Sequence, residues 1–300
     1  MSLKFSMQII NCIAGLRARL SGEQSIAFVP TMGNLHEGHL NLMRRAREYG
    51  SCTKSTQSAN QQAGNGVVCV VASIFVNPLQ FGPNEDFDQY PRTLEADCAR
   101  LQGLADVVFA PSVNEMYPTQ QTVFVEPPPI ANELCGAARP GHFRGMATVV
   151  LKLLNIVQPQ TALFGKKDYQ QLHIIRQLAA QLSLPVRIIG GETVRAEDGL
   201  ALSSRNQYLT QDERAEAVFL NQTLQSLRQR VLQGERDFNE LQQQAARALS
   251  DRGWVVDYVS IRNQSDLQPA NGEQRELVIL AAARLGKTRL LDNVEVGLGE

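Results

Sequence analysis

Ile26-Ala27-Phe28-Val29-Pro30-Thr31-Met32-Gly33-Asn34-Leu35-His36-Glu37-Gly38-His39-Leu40-Asn41-Leu42-Met43 is the stretch from which the fold is read. Its first four residues form an apolar run that reads as a short strand closing at Pro30. From Gly38 onward, Leu42, Met43 and Ala46 recur at helical spacing among Arg44, Arg45, Arg47 and Glu48, the pattern of a surface helix. A strand that runs through a glycine turn into a helix is the first half of a βαβ unit, whose second strand lies parallel to the first.

Working outward, the β-branched run 67–76 ends at Asn77-Pro78 and reads as a strand buried on both faces. Beyond it the pattern predicts a helix over 94–104, strands over 106–110 and 122–126, and a helix over 146–157 stopped by Pro159. A strand at 162–164, a helix at 169–182 and a strand at 186–189 follow. Strands alternating with helices predict right-handed crossovers and a mostly parallel sheet. The pattern changes at Gly190-Gly191: helical segments over 212–232 and 239–252 precede apolar strands at 254–261 and 277–283. The expectation is an α/β domain over 1–190 and a smaller α+β domain over 191–300. Residues 51–66, rich in Ser, Gln, Asn and Thr with no apolar period, sit where a short loop belongs and read as a flexible surface insertion.

Composition limits the function. The 300 residues carry 29 Lys and Arg against 30 Asp and Glu, a net charge of −1. That balance argues against a nucleic-acid partner, and no polybasic amphipathic stretch suggests a membrane surface. Five cysteines, an odd number with no Cys-x-x-Cys pair, fit reduced thiols in a cytoplasm. The first twenty residues lack a signal-peptide apolar region, and the longest apolar stretch is too short to span a bilayer.

Of only four histidines, His36 and His39 fall in the turn that opens the helix after the strand. In an open α/β sheet, ligands bind beyond the carboxyl ends of strands, and a helix N-terminus offers unpaired N–H groups to phosphate. Gly33 and Gly38 permit close backbone approach, and two imidazoles can donate to phosphate oxygens; a zinc pair has no further ligand nearby in sequence. Gly165-Lys166-Lys167-Asp168 repeats the strand-to-helix arrangement with a phosphate-suited lysine. Leu202-Ser203-Ser204-Arg205-Asn206 places hydroxyls and a guanidinium on a loop after Asp198-Gly199. Asn77 and Gln80 present amides after the second strand, and Arg139-Pro140-Gly141-His142-Phe143-Arg144-Gly145 is a compact basic loop suited to an anion. Gly286-Lys287-Thr288 resembles the end of a P-loop, but its required first glycine is Ala281, and no Gly-x-Gly-x-x-Gly follows a strand.

Together these segments, with Tyr90-Pro91-Arg92-Thr93-Leu94-Glu95-Ala96-Asp97 and the stretch from Arg195 to Tyr208, resemble the pantothenate synthetase (pantoate–β-alanine ligase) family of the His-x-Gly-His nucleotidyltransferase superfamily, nearly end to end. The resemblance implies a Rossmann-like first domain of the nucleotidyltransferase type. It also implies ATP-dependent ligation of pantoate with β-alanine through a pantoyl-adenylate, yielding AMP and diphosphate. Met32, Gly33, Asn34, Leu35, His36, Glu37, Gly38 and His39 would then line the ATP site, His39 acting as proton donor. Gly165, Lys166, Lys167, Asp168, Val194, Leu202, Ser203, Ser204 and Arg205 would complete it, with His36, His39, Lys167 and Arg205 supplying the catalytic charge. Gln80 and Gln171 would hold pantoate, with Asn77 and Arg139 beside them, and Asp97 is the candidate carboxylate for Mg2+. A cytoplasmic homodimer is implied as well.

One departure is Lys166, where the family usually carries an acid; the insertion at 51–66 is another, and it bears on dimer contacts. Two rival readings are a nucleotidylyltransferase that stops after transferring a nucleotide and a catalytically silent nucleotide-binding module. Gln80 and Gln171 argue against the first, since a hydroxy-acid pocket requires them. The intact His36, His39, Lys167 and Arg205 argue against the second.

Overall fold

The computed structural model describes residues 7–51, 68–83 and 85–298. The insertion read at 51–66 lies outside the described residues beyond its first member. By contacts the chain divides into two compact units, the first made of 1–129, 139–166 and 174–191, the second of 130–138, 167–173 and 192–300.

The first unit carries six parallel strands: β1 (Gln8–Ile10), β2 (Ile26–Thr31), β3 (Cys69–Ile74), β4 (Val107–Phe109), β5 (Thr161–Gly165) and β6 (Arg187–Gly191). Their spatial order is β1-β4-β3-β2-β5-β6. The order reverses beside β2, so the loops leaving β2, β3 and β5 share the carboxyl edge at a topological switch point. The helices of the first unit are α1 (Ile13–Leu20), α2 (Glu37–Ser51), α3 (Leu94–Leu101), α4 (Val113–Met116) and α6 (His142–Val157); α5 (Cys135–Ala138) belongs to the second unit, and α7 (Tyr169–Gln181) begins in the second unit and continues in the first. One apolar core joins Val29, Val70, Ala72 and Val108 of the sheet to Met43 and Ala46 of α2 and Leu101 of α3.

Three expectations are corrected here. β2 runs through Pro30 to Thr31 instead of stopping at the proline. Thr31 accepts from Phe75 on the β3 side, so Pro30 faces β5, where pairing ends at Phe28↔Ala162 and no ladder needs its missing N–H. Residues 122–126 form no strand: Val123 is 76% exposed, Val125 donates to the Thr148 hydroxyl, and the prolines at 127–129 offer no donors. Helix α6 starts at His142, four residues before expectation, from a left-handed Gly141 (φ 81°). The last four of the seven residues in the expected basic loop are therefore helix.

The second unit contains α8 (Gln211–Glu216), α9 (Val218–Leu232), α10 (Phe238–Ser250) and an antiparallel sheet β7 (Val255–Asn263), β8 (Glu276–Leu285), β9 (Thr288–Gly297). The segment expected as one helix over 212–232 divides at Ala217, and β9 is a third strand beyond the two expected. The P-loop look-alike is the tight turn between β8 and β9: Leu285 pairs with Thr288, and Gly286 takes φ 56°, as the first position of a hairpin turn requires. Leu220, Leu224, Leu241, Leu249, Ile279 and Val296 build its core. Among the described residues no helix is long and apolar enough to cross a membrane.

Candidate active site

The turn after β2 is held from two sides. Gly33 (φ 84°) and Asn34 (φ 50°) reverse the chain in left-handed backbone, and a Cβ on Gly33 would stand 3.0 Å from both the Asp97 carboxylate and Ile74. Asp97, 2% exposed, accepts the amides of Asn34 at 2.9 Å and Leu35 at 2.7 Å, and the Thr93 hydroxyl at 3.0 Å. Both carboxylate oxygens are thus committed to the turn. Asp97, the carboxylate expected beside Mg2+, here braces the turn. Among the described residues no three His, Cys, Asp or Glu side chains group as a metal site.

His36 occupies the N-cap position of α2, its carbonyl accepting from His39 at 2.9 Å. Its Nδ1 accepts the Gly38 amide at 3.2 Å, while Nδ1 of His39 accepts the His36 amide at 3.3 Å. The two imidazoles cap the helix start reciprocally: each ring satisfies an amide that the first turn leaves unpaired. With Nδ1 accepting in both rings, the neutral tautomer carries its proton on Nε2. The rings lie 4.1 Å apart between centroids.

Gln80 closes the same neighbourhood. It is buried, its Nε2 contacts the Met32 sulfur at 3.0 Å, and its Oε1 accepts from Asn77 at 3.2 Å. Asn77, 1% exposed, also donates to the Gly145 carbonyl at 3.2 Å and accepts from Tyr117 at 2.8 Å. The Gln80 carbonyl accepts from Nδ1 of His142 at 2.8 Å, whose Nε2 accepts from Arg139 at 3.0 Å. Arg139 in turn is doubly bonded to Glu85, at 2.6 Å each. Burial pushes the Glu85 carboxyl up, but the hydrogen bonds and charge of Arg139 outweigh it and hold it below the ordinary value. Arg139, expected to meet an anion, is thus paired with Glu85 within the fold and also reaches the Gln80 carbonyl at 3.4 Å.

In the second unit, Lys167 is 18% exposed at the side chain, with its ammonium 3.9 Å from Asp168. Gln171 lies one turn further along, half-buried. Val194 and Leu202 are joined by a backbone bond of 2.9 Å and frame a narrow loop through Gly199, followed by the Ser203-capped turn Ser204–Tyr208. Strand β9, absent from the sequence reading, ties these segments together. Asn293 donates to the Lys167 carbonyl at 2.8 Å. Asp292 accepts Arg195 twice, at 2.7 and 2.9 Å, and Asn221 at 3.0 Å. Arg195 reaches on to the carbonyls of Gly199 and Asn293, at 3.1 Å each. Gln170, next to Gln171, is a structural clip, pairing with Cys135, Ile130 and Glu133 of the backbone. The signal for β9 was present in the sequence: Leu290, Asp292, Val294 and Val296 alternate as a strand, with an acid on the inward face.

A parallel sheet whose central strand ends in a glycine turn capped by His36 and His39 places the chain among α/β enzymes bearing a His-x-Gly-His turn. The family model for pantoate–β-alanine ligase matches residues 8–295, and the chain belongs to that family. It is 58% identical to the pantothenate synthetase of Methylobacillus flagellatus over 291 residues, 97% of this chain and 99% of that protein. The crystal structure of pantothenate synthetase from Thermus thermophilus is similar with a TM-score of 0.87 and 42% identity, covering 97% of this chain and all of that one. The pantoate–β-alanine ligase of Francisella tularensis, solved in complex with β,γ-ATP and β-alanine, aligns with a TM-score of 0.73 at 35% identity over 96% of this chain and 97% of that one. The chain is accordingly a ligase that joins pantoate to β-alanine, making pantothenate.

Proposed function

We propose that ligation runs through a pantoyl-adenylate made from ATP, with roles distributed over the residues just described. A carboxylate is a poor electrophile because its leaving group would be oxide. Attack of the pantoate carboxylate oxygen on the α-phosphorus breaks the bond to the bridging oxygen and releases diphosphate. The β-alanine amine then forms the C–N bond at the acyl carbon, and AMP leaves. His36 and His39 donate from Nε2 to the phosphates, with His39 the proton donor. Lys167 and Arg205 counter charge as it accumulates on the departing diphosphate. Met32, Gly33, Asn34, Leu35, Glu37 and Gly38, with Gly165, Lys166, Asp168, Val194, Leu202, Ser203 and Ser204, complete the nucleotide site. Gln80, oriented by Asn77, and Gln171 hold pantoate through its hydroxyl and carboxylate groups.

The observation that carries this reading is the reciprocal cap at His36 and His39, which fixes both imidazoles in the donor tautomer at a helix start. The β,γ-ATP and β-alanine held by the Francisella relative support the nucleotide and the amine. The Mg2+ implied by the resemblance is proposed to arrive as the counter-ion of ATP, and Asp97, which accepts the amides of Asn34 and Leu35, is proposed to brace the turn. Residues 1–190 and 191–300 are proposed as the two functional domains. A cytoplasmic homodimer is proposed on the resemblance, with free thiols at Cys12, Cys69, Cys98 and Cys135 fitting a reducing compartment, and sedimentation tests the assembly.

The deciding experiment follows AMP and diphosphate with ATP and pantoate, with and without β-alanine. Sustained AMP release is expected only with all three substrates, while ATP and pantoate alone yield about one diphosphate per enzyme. His39→Ala and Lys167→Ala should each slow diphosphate release on the order of 10² to 10³ while remaining folded. Near-normal release from either removes its assigned role.

A further inference from the structure

We propose that Asn293 of β9 is a positioning residue for adenylate formation, acting through the backbone of Lys167. The proposal rests on the assignment of Lys167 to the ATP phosphates. Lys167 is the middle residue of a single 3-10 turn, Lys166–Asp168, between β5 and α7. A lysine is a flexible point charge on a long stem, so where its ammonium acts depends on how firmly its backbone is held. Asn293, 6% exposed, bonds that backbone directly, donating from Nδ2 to the Lys167 carbonyl at 2.8 Å.

Asn293 is itself fixed on all its backbone groups. Its amide donates to Asp292 at 2.7 Å and its carbonyl accepts from Arg195 at 3.1 Å, while strand pairing sets it opposite Leu280 of β8. Asp292, 3% exposed, collects four donors from Arg195, Asn221 and the Asn293 amide, so a buried carboxylate is fully compensated. Tyr169, two residues after Lys167, adds a second tie by donating to Glu295 at 3.0 Å. Thus one rigid strand carries both the turn bearing Lys167 and the Val194–Leu202 loop that leads to Ser203 and Arg205. Groups that must oppose the same developing charge need fixed separation, and a shared strand provides it without touching substrate.

The test is a double-mutant cycle read by single-turnover diphosphate release from ATP and pantoate. Asn293→Leu keeps the side-chain size and removes the donor. It should slow release about 10-fold, the loss expected for one hydrogen bond of ordinary strength, with the KM for pantoate unchanged. In a Lys167→Ala background the same change should have no further effect, because its route of action is gone. Should Asn293→Leu fail to fold, Asn293→Ser, which retains a donor on a shorter arm, is run through the same cycle and should show a smaller slowing that likewise vanishes with Lys167→Ala. A penalty that persists undiminished without the Lys167 side chain overturns the inference, as does Asn293→Leu at parental rate beside an impaired Lys167→Ala. A fully active Lys167→Ala instead removes the phosphate assignment, and this inference with it.

Discussion

Asp97, on the first turn of α3, accepts the backbone amide of Leu35 at 2.7 Å, a bond spanning 62 residues of chain. Through it, a helix far along the sequence determines the path of the turn that presents His36 and His39.

That relationship sets the behaviour of Asp97→Asn. The amide keeps the shape but turns one acceptor into a donor facing backbone N–H groups. The variant should lose about 1–3 kcal/mol of stability in urea unfolding and most of its adenylation rate. The Mg2+ concentration giving half-maximal rate should not move. A large rise in that concentration would instead make Asp97 a metal ligand.

The imidazole cap separates structure from chemistry at His36. Asparagine is a favoured N-cap and can accept the same amide, whereas alanine cannot. His36→Ala should cost about 0.5–2 kcal/mol, while His36→Asn should unfold close to the parent. Both should lose diphosphate release to a similar degree. If His36→Asn keeps its activity, the ring serves only as a cap.

Glu85 links acid stability to the support behind Gln80. Its folded pKa lies below the ordinary 4.5, so the contribution is fully present above that value and is lost as pH falls through the lower, folded one. Glu85→Gln should therefore be less stable than the parent at neutral pH, and the two should converge as pH drops below the ordinary carboxylate range. Urea midpoints across an acid series measure this. A gap that widens on acidification would reverse the sign.

Gly145 is where α6 meets the turn of Asn77 to Gln80. A Cβ there would overlap the Leu79 carbonyl and press on the Gln80 amide, and neither is the end of a flexible side chain. Gly145→Ala should destabilise by about 1–3 kcal/mol through overpacking and raise the KM for pantoate more than that for ATP. An unchanged pantoate KM would detach this contact from the pantoate site.

Much of the first unit was legible because its signals are local. The apolar run after Ser25, the glycine turn and the amphipathic spacing of Leu42, Met43 and Ala46 each depend on neighbours a few residues away. The strand forecast at 122–126 failed because β-branched residues announce an extended backbone without announcing a partner strand. The start of α6 was missed because His142 and Gly145 are poor helix signals, and only burial against the Pro78–Gln80 turn makes them useful there.

The sequence by itself determined the parallel order of helix and strand, the imidazole pair at a strand-to-helix turn and, by resemblance, the reaction. Those are properties of short windows, where spacing and residue type carry the information. Tertiary structure alone decided that Asp97 braces backbone amides, that Arg139 is paired with Glu85, and that Asn293 grips the turn of Lys167. Each of these joins residues between 54 and 126 positions apart. Whether a charge is available to a ligand depends on which opposite group the fold brings within about 3 Å of it, and no local pattern records that.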